Sequence, residues 1–493
     1  MTTNPDFIMK NEVSIYLQEE NMLIKKVCTL GPSSSSRQII KGLLEAGMNV
    51  ARINFSHGTH QSLGEIIKTL QSLLKEDDRY NCSIMQDLSG PKFRIHDPVG
   101  KLLHIAKGDT VRFNTTGKRI SDDDLSLNFK LDLSSFKPGQ KIIIGDGNAQ
   151  FEITALGDYS FLARALNECR LAGSRGVSFP GVKLKNFSTL TRKDMADIEF
   201  GLKSGIDLIA LSFVQSGDDI RQIKTTLSKH GRLDIPVIAK IERISALDDL
   251  DDILREADGI MVARGDLGLD ADLAEVPFLQ KMIISKAIEA AKPVITATQM
   301  LESMILNPQP TRAEVNDIAN TILDGTDAIM LSGETAIGKY PLESLKYMDA
   351  VIKAGKKHFP CWRKMDEEKS DSALDIEETI GLSVCEAARA TKARAIIALT
   401  RTGQTARLIA RYRPEPPIYA VTPNPSTIHI LNLVAGCIPI LINEFRETDK
   451  LVNSTVNKLK ESKRIKTDDR IVISGGTPLG KRGSTNFLKI IQI

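Results

Sequence analysis

Residues 236–268 read PVIAKIERISALDDLDDILREADGIMVARGDLG, and the fold can be worked outward from this stretch. Two apolar runs of strand character, PVIAKIE and GIMVARG, flank one amphipathic helical segment. Lys240 and Glu242 close the first run; Arg264 and Asp266 close the second. In a βαβ unit the strands are parallel, so both deliver their last residues to the same edge of the sheet. Two carboxylates and a lysine then meet at one point. Hard oxygen donors beside a fixed ammonium suit a divalent cation and the charge that develops in phosphoryl or enolate chemistry.

The same pattern recurs along the chain. Strand-like runs are KKVCTL from 25, MNVARIN from 48, CSIMQD from 82, LIALSF from 208, PVIAKIE from 236, GIMVAR from 259, PVITAT from 293 and AIMLSG from 328. They are near-continuously apolar, as strands buried on both faces are. Helical segments fill the gaps, starting near Ser36, His60, Thr191, Gly217, Ser245, Val276, Thr311 and Pro341. Repeated β-then-α units of this kind predict an α/β fold, a (β/α)₈ TIM barrel with its active site at the C-terminal strand ends. The polar residues expected there are Arg52, Asn54, Asp87, Lys240, Glu242, Asp266, Thr298, Ser332 and Glu334.

The chain between Asp87 and Leu208 is too long for a loop inside a compact domain. Its interior alternates in short runs broken by turns, such as LLHIAKGDTVRF, so a small inserted β-barrel domain over residues 91–182 is expected, placed as a mobile lid over the barrel mouth. Asp146, in the GDGN turn of this insert, reads as turn chemistry rather than catalysis. The barrel then occupies 22–90 and 183–356, after an N-terminal extension of 1–21. Beyond Ala354 the composition turns polar, and the runs AIIALT, PIYAVT, IPILIN, RIVISG and FLKIIQI predict an open, mostly parallel α/β domain over 357–493. Its strand-to-helix loop Thr400, Arg401, Thr402, Gly403, Gln404, Thr405 offers backbone N–H groups and hydroxyls to a phosphate; the same residues read equally well as an ordinary polar turn. A second loop from Ser474 adds Lys481 and Arg482.

Bulk properties fit a large enzyme of several domains. The 493 residues carry 65 basic and 62 acidic side chains, a net +3, which gives no case for a nucleic-acid or membrane partner. Six cysteines, Cys28, Cys82, Cys169, Cys361, Cys385 and Cys437, lack metal-ligand spacing and mostly lie in apolar runs, as reduced core thiols do. The N-terminal residues have no signal-peptide apolar core, and the expected compartment is the cytoplasm.

The motifs KKVCTLGP, GMNVARINFSHG, GPKFR, VIAKIER, GIMVARGDLG, VITATQMLESM, PTRAEVNDIAN and IMLSGETAIGKYP follow one another in the order found in the pyruvate kinases, and from Ile24 onward the chain resembles that family. The resemblance implies Mg²⁺-dependent (or Mn²⁺-dependent) phosphoryl transfer from phosphoenolpyruvate to ADP, giving pyruvate and ATP as the last step of glycolysis. By motif, Glu242 and Asp266 would hold the metal, Lys240 would neutralise the transferring phosphoryl group and the enolate, and Arg52 would grip the phosphate. Gly265, Asp266 and Thr298 would hold the substrate carboxylate. Asn54, His57 and Arg94 would meet the nucleotide phosphates, with Arg175 from the lid, where the family usually has Lys. A homotetramer and allosteric activation by a phosphorylated metabolite are implied in the same way. Thr298, Ser332 and ordered water are alternative sources of the proton that completes pyruvate.

One departure stands inside a motif. Many members hold a monovalent cation at positions matching Asn54, Ser56, Asp87 and Leu88, with Glu in the GPxxR segment. Here Lys92 takes the Glu position and Leu88 stands where Thr is usual. The combination resembles the potassium-independent branch, in which a tethered ammonium replaces K⁺. Competing readings are structural: Arg52 as a mere ion-pair partner of Asp87, Ser56 and His57 as caps, Thr298 as a plain core residue, Lys92 as a solvated hinge lysine. Two other functions compete as well, a lyase or aldolase acting on enolates and a silent metabolite-sensing paralogue. The second would be expected to have lost Lys240, Glu242 or Asp266, and all three are present.

Overall fold

A computed structural model describes residues 13–15, 24–96, 102–119, 124–145, 147–185, 188–359, 361–362, 365, 374–442, 448–477 and 485–493. Lys25–Leu30 (β1), Val50–Asn54 (β2), Ser83–Asp87 (β3), Leu208–Leu211 (β4), Val237–Ile241 (β5), Gly259–Ala263 (β6), Val294–Ala297 (β7) and Ala328–Leu331 (β8) close into a parallel barrel, β8 pairing with β1. Helices begin at Arg37, His60, Arg192, Gly217, Leu250, Val276, Arg312 and Pro341, each within a few residues of the expected start. Several starts follow from capping: Ser36, Thr59, Thr191 and Thr311 each accept a first-turn backbone N–H on the side-chain oxygen.

Strand periodicity explains both the core and the site. Outward residues such as Ala51, Ile84, Val237 and Ile260 pack against the helices. Inward residues Val27, Val50, Met85, Ala210 and Ile238 fill the barrel. Two residues farther along, on the same face, come Thr29, Arg52, Asp87, Ser212 and Lys240. The barrel is therefore apolar at its floor and polar at its C-terminal mouth.

One expectation is corrected. Arg264 and Asp266 do not end a strand: β6 stops at Ala263, and both residues lie on a short helix, Arg264–Asp270. A second short helix, Gly333–Ala336, follows β8.

Between β3 and β4 the chain forms a curled six-stranded sheet and a separate strand pair, packed around aromatic contacts such as Phe113 stacked on Phe161 at 5.0 Å. The C-terminal domain has four parallel strands in the order Cys437–Ile442, Ile418–Thr422, Ala395–Leu399, Arg470–Gly476. Thr485–Gln492 closes one edge antiparallel, and Val13–Ile15, from the expected N-terminal extension, adds to the other. Asp146, Lys481 and Arg482 lie outside the described residues. All six cysteines are free. Among the described residues no helix is long and apolar enough to cross a membrane.

The C-terminal domain seals the barrel floor. The inner apolar cluster runs without a break from β-strand residues into Tyr412, Leu433 and Val434. Arg413 pairs with Asp327 at 2.9 Å, and Asn432 reaches Ser83 at the start of β3, also at 2.9 Å. Lys25 is wholly buried there and donates to the Cys437 carbonyl at 2.6 Å. Burial lowers its ammonium from 10.5 to about 8; Lys26 acts in the same sense, while Cys437 and Asp327 oppose. The unfolded chain thus binds this proton more tightly, so stability rises with pH between about 8 and 10.5, and the full cost is present below that window. That cost is on the order of 3 kcal/mol, against roughly 1.5–3 kcal/mol for the one hydrogen bond from a charged donor. Lys25→Met is expected to raise the urea midpoint at pH 7, with the gain shrinking by pH 10. A lower midpoint at pH 7 would show that the charge is fully compensated.

Candidate active site

At the barrel mouth the inward side chains form one connected network. Arg52 is buried and donates from Nε to Asp87 Oδ2 at 2.6 Å and from Nη1 to the Thr29 hydroxyl at 2.9 Å. Nη2 has no partner among the described residues. Lys240 donates to Ser212 Oγ at 2.7 Å and lies 3.1 Å from Asp87 Oδ1 and 2.8 Å from Glu242 Oε1. Burial opposes the charges of Asp87, Lys240 and Glu242, and the neighbours decide the outcome. Asp87 is held below its usual range because Arg52 and Lys240 together outweigh burial. Glu242 is pushed up chiefly by burial, with Asp266 and Asp87 acting in the same sense, and the attraction of Lys240 does not outweigh them all. Lys240 is raised although burial acts against it, because Asp87 and Glu242 face it. Its charge is fixed across the physiological range.

Asp266 lies exposed on the first turn of helix Arg264–Asp270. Its proximity to Glu242 is felt as repulsion between the two carboxylates. This donor set fits a divalent cation. Mg²⁺ takes one or two protein carboxylates and completes its octahedron with substrate oxygens and water. Among the described residues no group of three or more His, Cys, Asp or Glu side chains forms a closed cage.

Thr298 is not a plain core residue. It has φ 72° and Gln299 has φ 55°, a left-handed conformation that is costly for a β-branched side chain and persists only where neighbours enforce it. Arg264 supplies the enforcement. Its Nη2 donates to the Thr298 carbonyl at 2.6 Å and the Gln299 carbonyl at 3.1 Å, while Nη1 is anchored on Asp317 at 2.7 Å. The Thr298 hydroxyl accepts from Gly265 N–H at 2.8 Å and donates to the Ala297 carbonyl at 2.6 Å. At the end of β8 the Ser332 hydroxyl is buried with no hydrogen-bond partner among the described residues.

Asn54 ends β2 opposite Asp87, and its side chain accepts from Ser56 N–H at 3.0 Å. The helix that starts at His60 is capped by Thr59, not by Ser56 or His57 as the structural reading expects. Leu88 is fully buried and contributes its carbonyl to Ser212 Oγ at 2.7 Å. His57 is exposed; burial, Lys92, Arg94 and Arg52 all lower its imidazole. Lys92 is half-buried and interacts with Asp266, Lys240, Arg94 and Asp87. Arg94 and Arg175 approach across the lid stems: Arg94 Nη1 donates to the Ser174 carbonyl at 3.4 Å, and the Arg175 carbonyl accepts from Ile95 N–H at 2.9 Å.

The barrel matches the family model "Pyruvate kinase, barrel domain" over residues 22–345, and residues 378–491 match "Pyruvate kinase, alpha/beta domain". The chain belongs to the pyruvate kinase family. Pyruvate kinase from Geobacillus stearothermophilus is 39% identical over 94% of this chain and 79% of its own length. That of Clostridium acetobutylicum is 37% identical over 94% of this chain and 98% of its own. A crystal structure of a pyruvate kinase from Cryptosporidium parvum superposes with TM-score 0.89 at 33% identity, covering 96% of both chains. As a member of this family the chain is a phosphotransferase.

In the C-terminal domain Gly403 has φ 82° and opens the short helix Gln404–Ala410. Thr400 is buried, the Arg401 carbonyl accepts from Thr427 at 2.8 Å, and Thr402 is half-buried. Gln404 donates to Glu377 at 2.6 Å, and Thr405 shares a 2.7 Å bond with Thr485.

Three site residues escaped the sequence reading. Thr29 and Ser212 were detectable, since each stands two positions beyond an inward apolar residue. The bracing role of Arg264 was not, because it depends on a backbone conformation on the neighbouring strand end.

Proposed function

We propose that this enzyme transfers the phosphoryl group of phosphoenolpyruvate to ADP. The observation that carries the reading is Lys240, a permanently charged ammonium held between Asp87, Ser212 and Glu242 with Arg52 alongside. Phosphoryl transfer demands positioning and charge stabilisation more than covalent help. Arg52, oriented by Asp87 and Thr29, grips the phosphate through Nη2 and Nη1. As the bond from the enol oxygen to phosphorus breaks and that from ADP forms, Lys240 meets charge on both the phosphoryl group and the enolate. Glu242 and Asp266 hold Mg²⁺ or Mn²⁺, which when bound neutralises the substrate carboxylate and phosphate. The Gly265 and Asp266 amides and the Thr298 hydroxyl hold the carboxylate. Asn54, His57, Arg94 and Arg175 receive the nucleotide phosphates. A hydroxyl at this end of the barrel, on Thr298 or Ser332, or an ordered water, delivers the proton that turns the enolate into pyruvate. The test is pyruvate formation from phosphoenolpyruvate with Mg²⁺, with and without ADP. Product without ADP, or no product, overturns the reading.

Three further features belong to the same proposal. The enzyme works without K⁺, with Lys92 supplying the positive charge, and Asn54, Ser56, Asp87 and Leu88 mark the position a monovalent cation takes in other members. It acts in the cytoplasm as a homotetramer, a setting that suits six free thiols. A phosphorylated metabolite activates it through residues 400–405. Thr400→Ala combined with Thr405→Ala should then abolish activation and leave basal turnover intact, and the activator should bind more tightly when phosphoenolpyruvate is present. Calorimetry showing no binding of any phosphometabolite to the intact enzyme would reduce the loop to a plain turn.

A further inference from the structure

Arg243 follows the metal carboxylate Glu242 in sequence and is almost wholly buried. Its guanidinium makes no side-chain hydrogen bond among the described residues. It lies instead between two aromatic rings, 5.1 Å from the centroid of Phe93 and 5.3 Å from that of Phe213. Phe93 sits in the first connection to the lid. Phe213 follows β4, has φ 57°, and donates its backbone N–H to Glu242 Oε2 at 2.6 Å.

The surroundings of Arg243 draw in both lid stems. Gly90, at the start of the first stem, packs so closely on Phe213 that a Cβ would fall 2.9 Å from its Cδ2. In the second stem Phe179 meets Phe93 edge-on at 5.9 Å. The backbone of Gly181 bonds to Asp270, the buried carboxylate that attracts Arg243 most strongly and also accepts from Ile244 N–H at 2.7 Å. A left-handed phenylalanine is strained and needs its neighbours to hold it. Here the Glu242 bond, the Gly90 contact and the guanidinium hold it together.

We infer that Arg243 is a positioning residue on which both connections to the lid rest, and that through Phe213 it fixes the carboxylate of Glu242 for the metal. The inference rests on the reading of Glu242 as a metal ligand. Lid stance and metal geometry are then two readings of one contact: the guanidinium cannot leave Phe93 without releasing Phe213, and Phe213 cannot turn without releasing Glu242. Supporting partners of metal ligands typically cost roughly 10- to 100-fold in affinity or activity when removed.

The experiment uses the full-length enzyme with Arg243→Met, Arg243→Lys and Phe93→Leu. Mn²⁺ binding is read by electron paramagnetic resonance, and amide exchange is followed over 90–96 and 177–184. Arg243→Met should weaken Mn²⁺ binding about tenfold or more and speed exchange in both stems, with Arg243→Lys in between. Phe93→Leu should move both readouts in the same direction by less. The double variant Arg243→Met with Phe93→Leu should be no worse than Arg243→Met alone, as expected of residues sharing one contact. Should Arg243→Met not fold, Phe93→Leu alone decides. Unchanged Mn²⁺ binding or unchanged stem exchange in the deciding variant overturns the inference while leaving the metal reading intact. No Mn²⁺ binding by the unmutated enzyme overturns both.

Discussion

Lys240→Met is expected to bind phosphoenolpyruvate and scarcely turn it over. In the proposed mechanism the ammonium interacts mainly with charge that appears during transfer, so kcat and kcat/KM should fall together. Loss of one preorganised donor to developing charge costs roughly 10²- to 10³-fold, about 3–4 kcal/mol. Stability should fall too, because Glu242 loses the cation 2.8 Å away and Asp87 loses the cation 3.1 Å away. Removing one partner of a buried pair costs roughly 3–5 kcal/mol. The native ammonium is raised above its ordinary 10.5, so its contribution is complete below that pH and is lost as pH rises through the folded value. Steady-state kinetics, calorimetric substrate binding and the unfolding midpoint separate the two effects. Turnover near the parent in a folded Lys240→Met enzyme would remove the residue from the mechanism. Glu242→Gln and Asp266→Asn should instead raise the Mg²⁺ concentration needed for half-maximal activity.

The second large effect concerns K⁺. The unmutated enzyme should show the same activity in tetramethylammonium and in potassium buffers at matched ionic strength, and Lys92→Glu should introduce a K⁺ requirement. Burial and the nearby Lys240 and Arg94 work against the Lys92 charge, while Asp266 and Asp87 support it. A surface lysine in free solvent would have no such neighbours. Reversing its sign removes a positive charge from the proposed nucleotide-phosphate site and adds a negative one, which a bound cation can then neutralise. A loss of about tenfold or more without K⁺, equivalent to about 1.4 kcal/mol in barrier, is expected of Lys92→Glu. Strong stimulation of the unmutated enzyme by KCl would place the cation back among Asn54, Ser56 and Asp87.

How far the sequence revealed all this depends on the range of each interaction. The barrel was legible because burial of a strand on both faces is written locally, as apolar runs such as LIALSF and GIMVAR. Arg52, Asp87 and Lys240 were legible because strand alternation carries an inward face from apolar to polar. The ion pair of Arg52 with Asp87, the competing structural reading, does form, and it orients the guanidinium while leaving Nη2 without a partner among the described residues. The end of β6 was misjudged because GDLG continues an apolar run while the backbone has already turned helical at Arg264. The left-handed Thr298 and the stacking of Arg243 between Phe93 and Phe213 left no local signal. Both arise where segments remote in the chain press together.

The sealed floor of the barrel bears on how the chain is made. Its first strand carries Lys25, whose acceptor, the Cys437 carbonyl, is translated only after the barrel and lid have left the ribosome. The floor also awaits Tyr412 and Leu433 before its apolar surface is covered. A nascent chain stalled between Lys356 and Arg413 would therefore have all eight barrel strands synthesised, an open greasy base and Lys25 still without its acceptor. Such an intermediate invites chaperones or self-association, so synthesis of this enzyme should be most vulnerable late, over its final quarter.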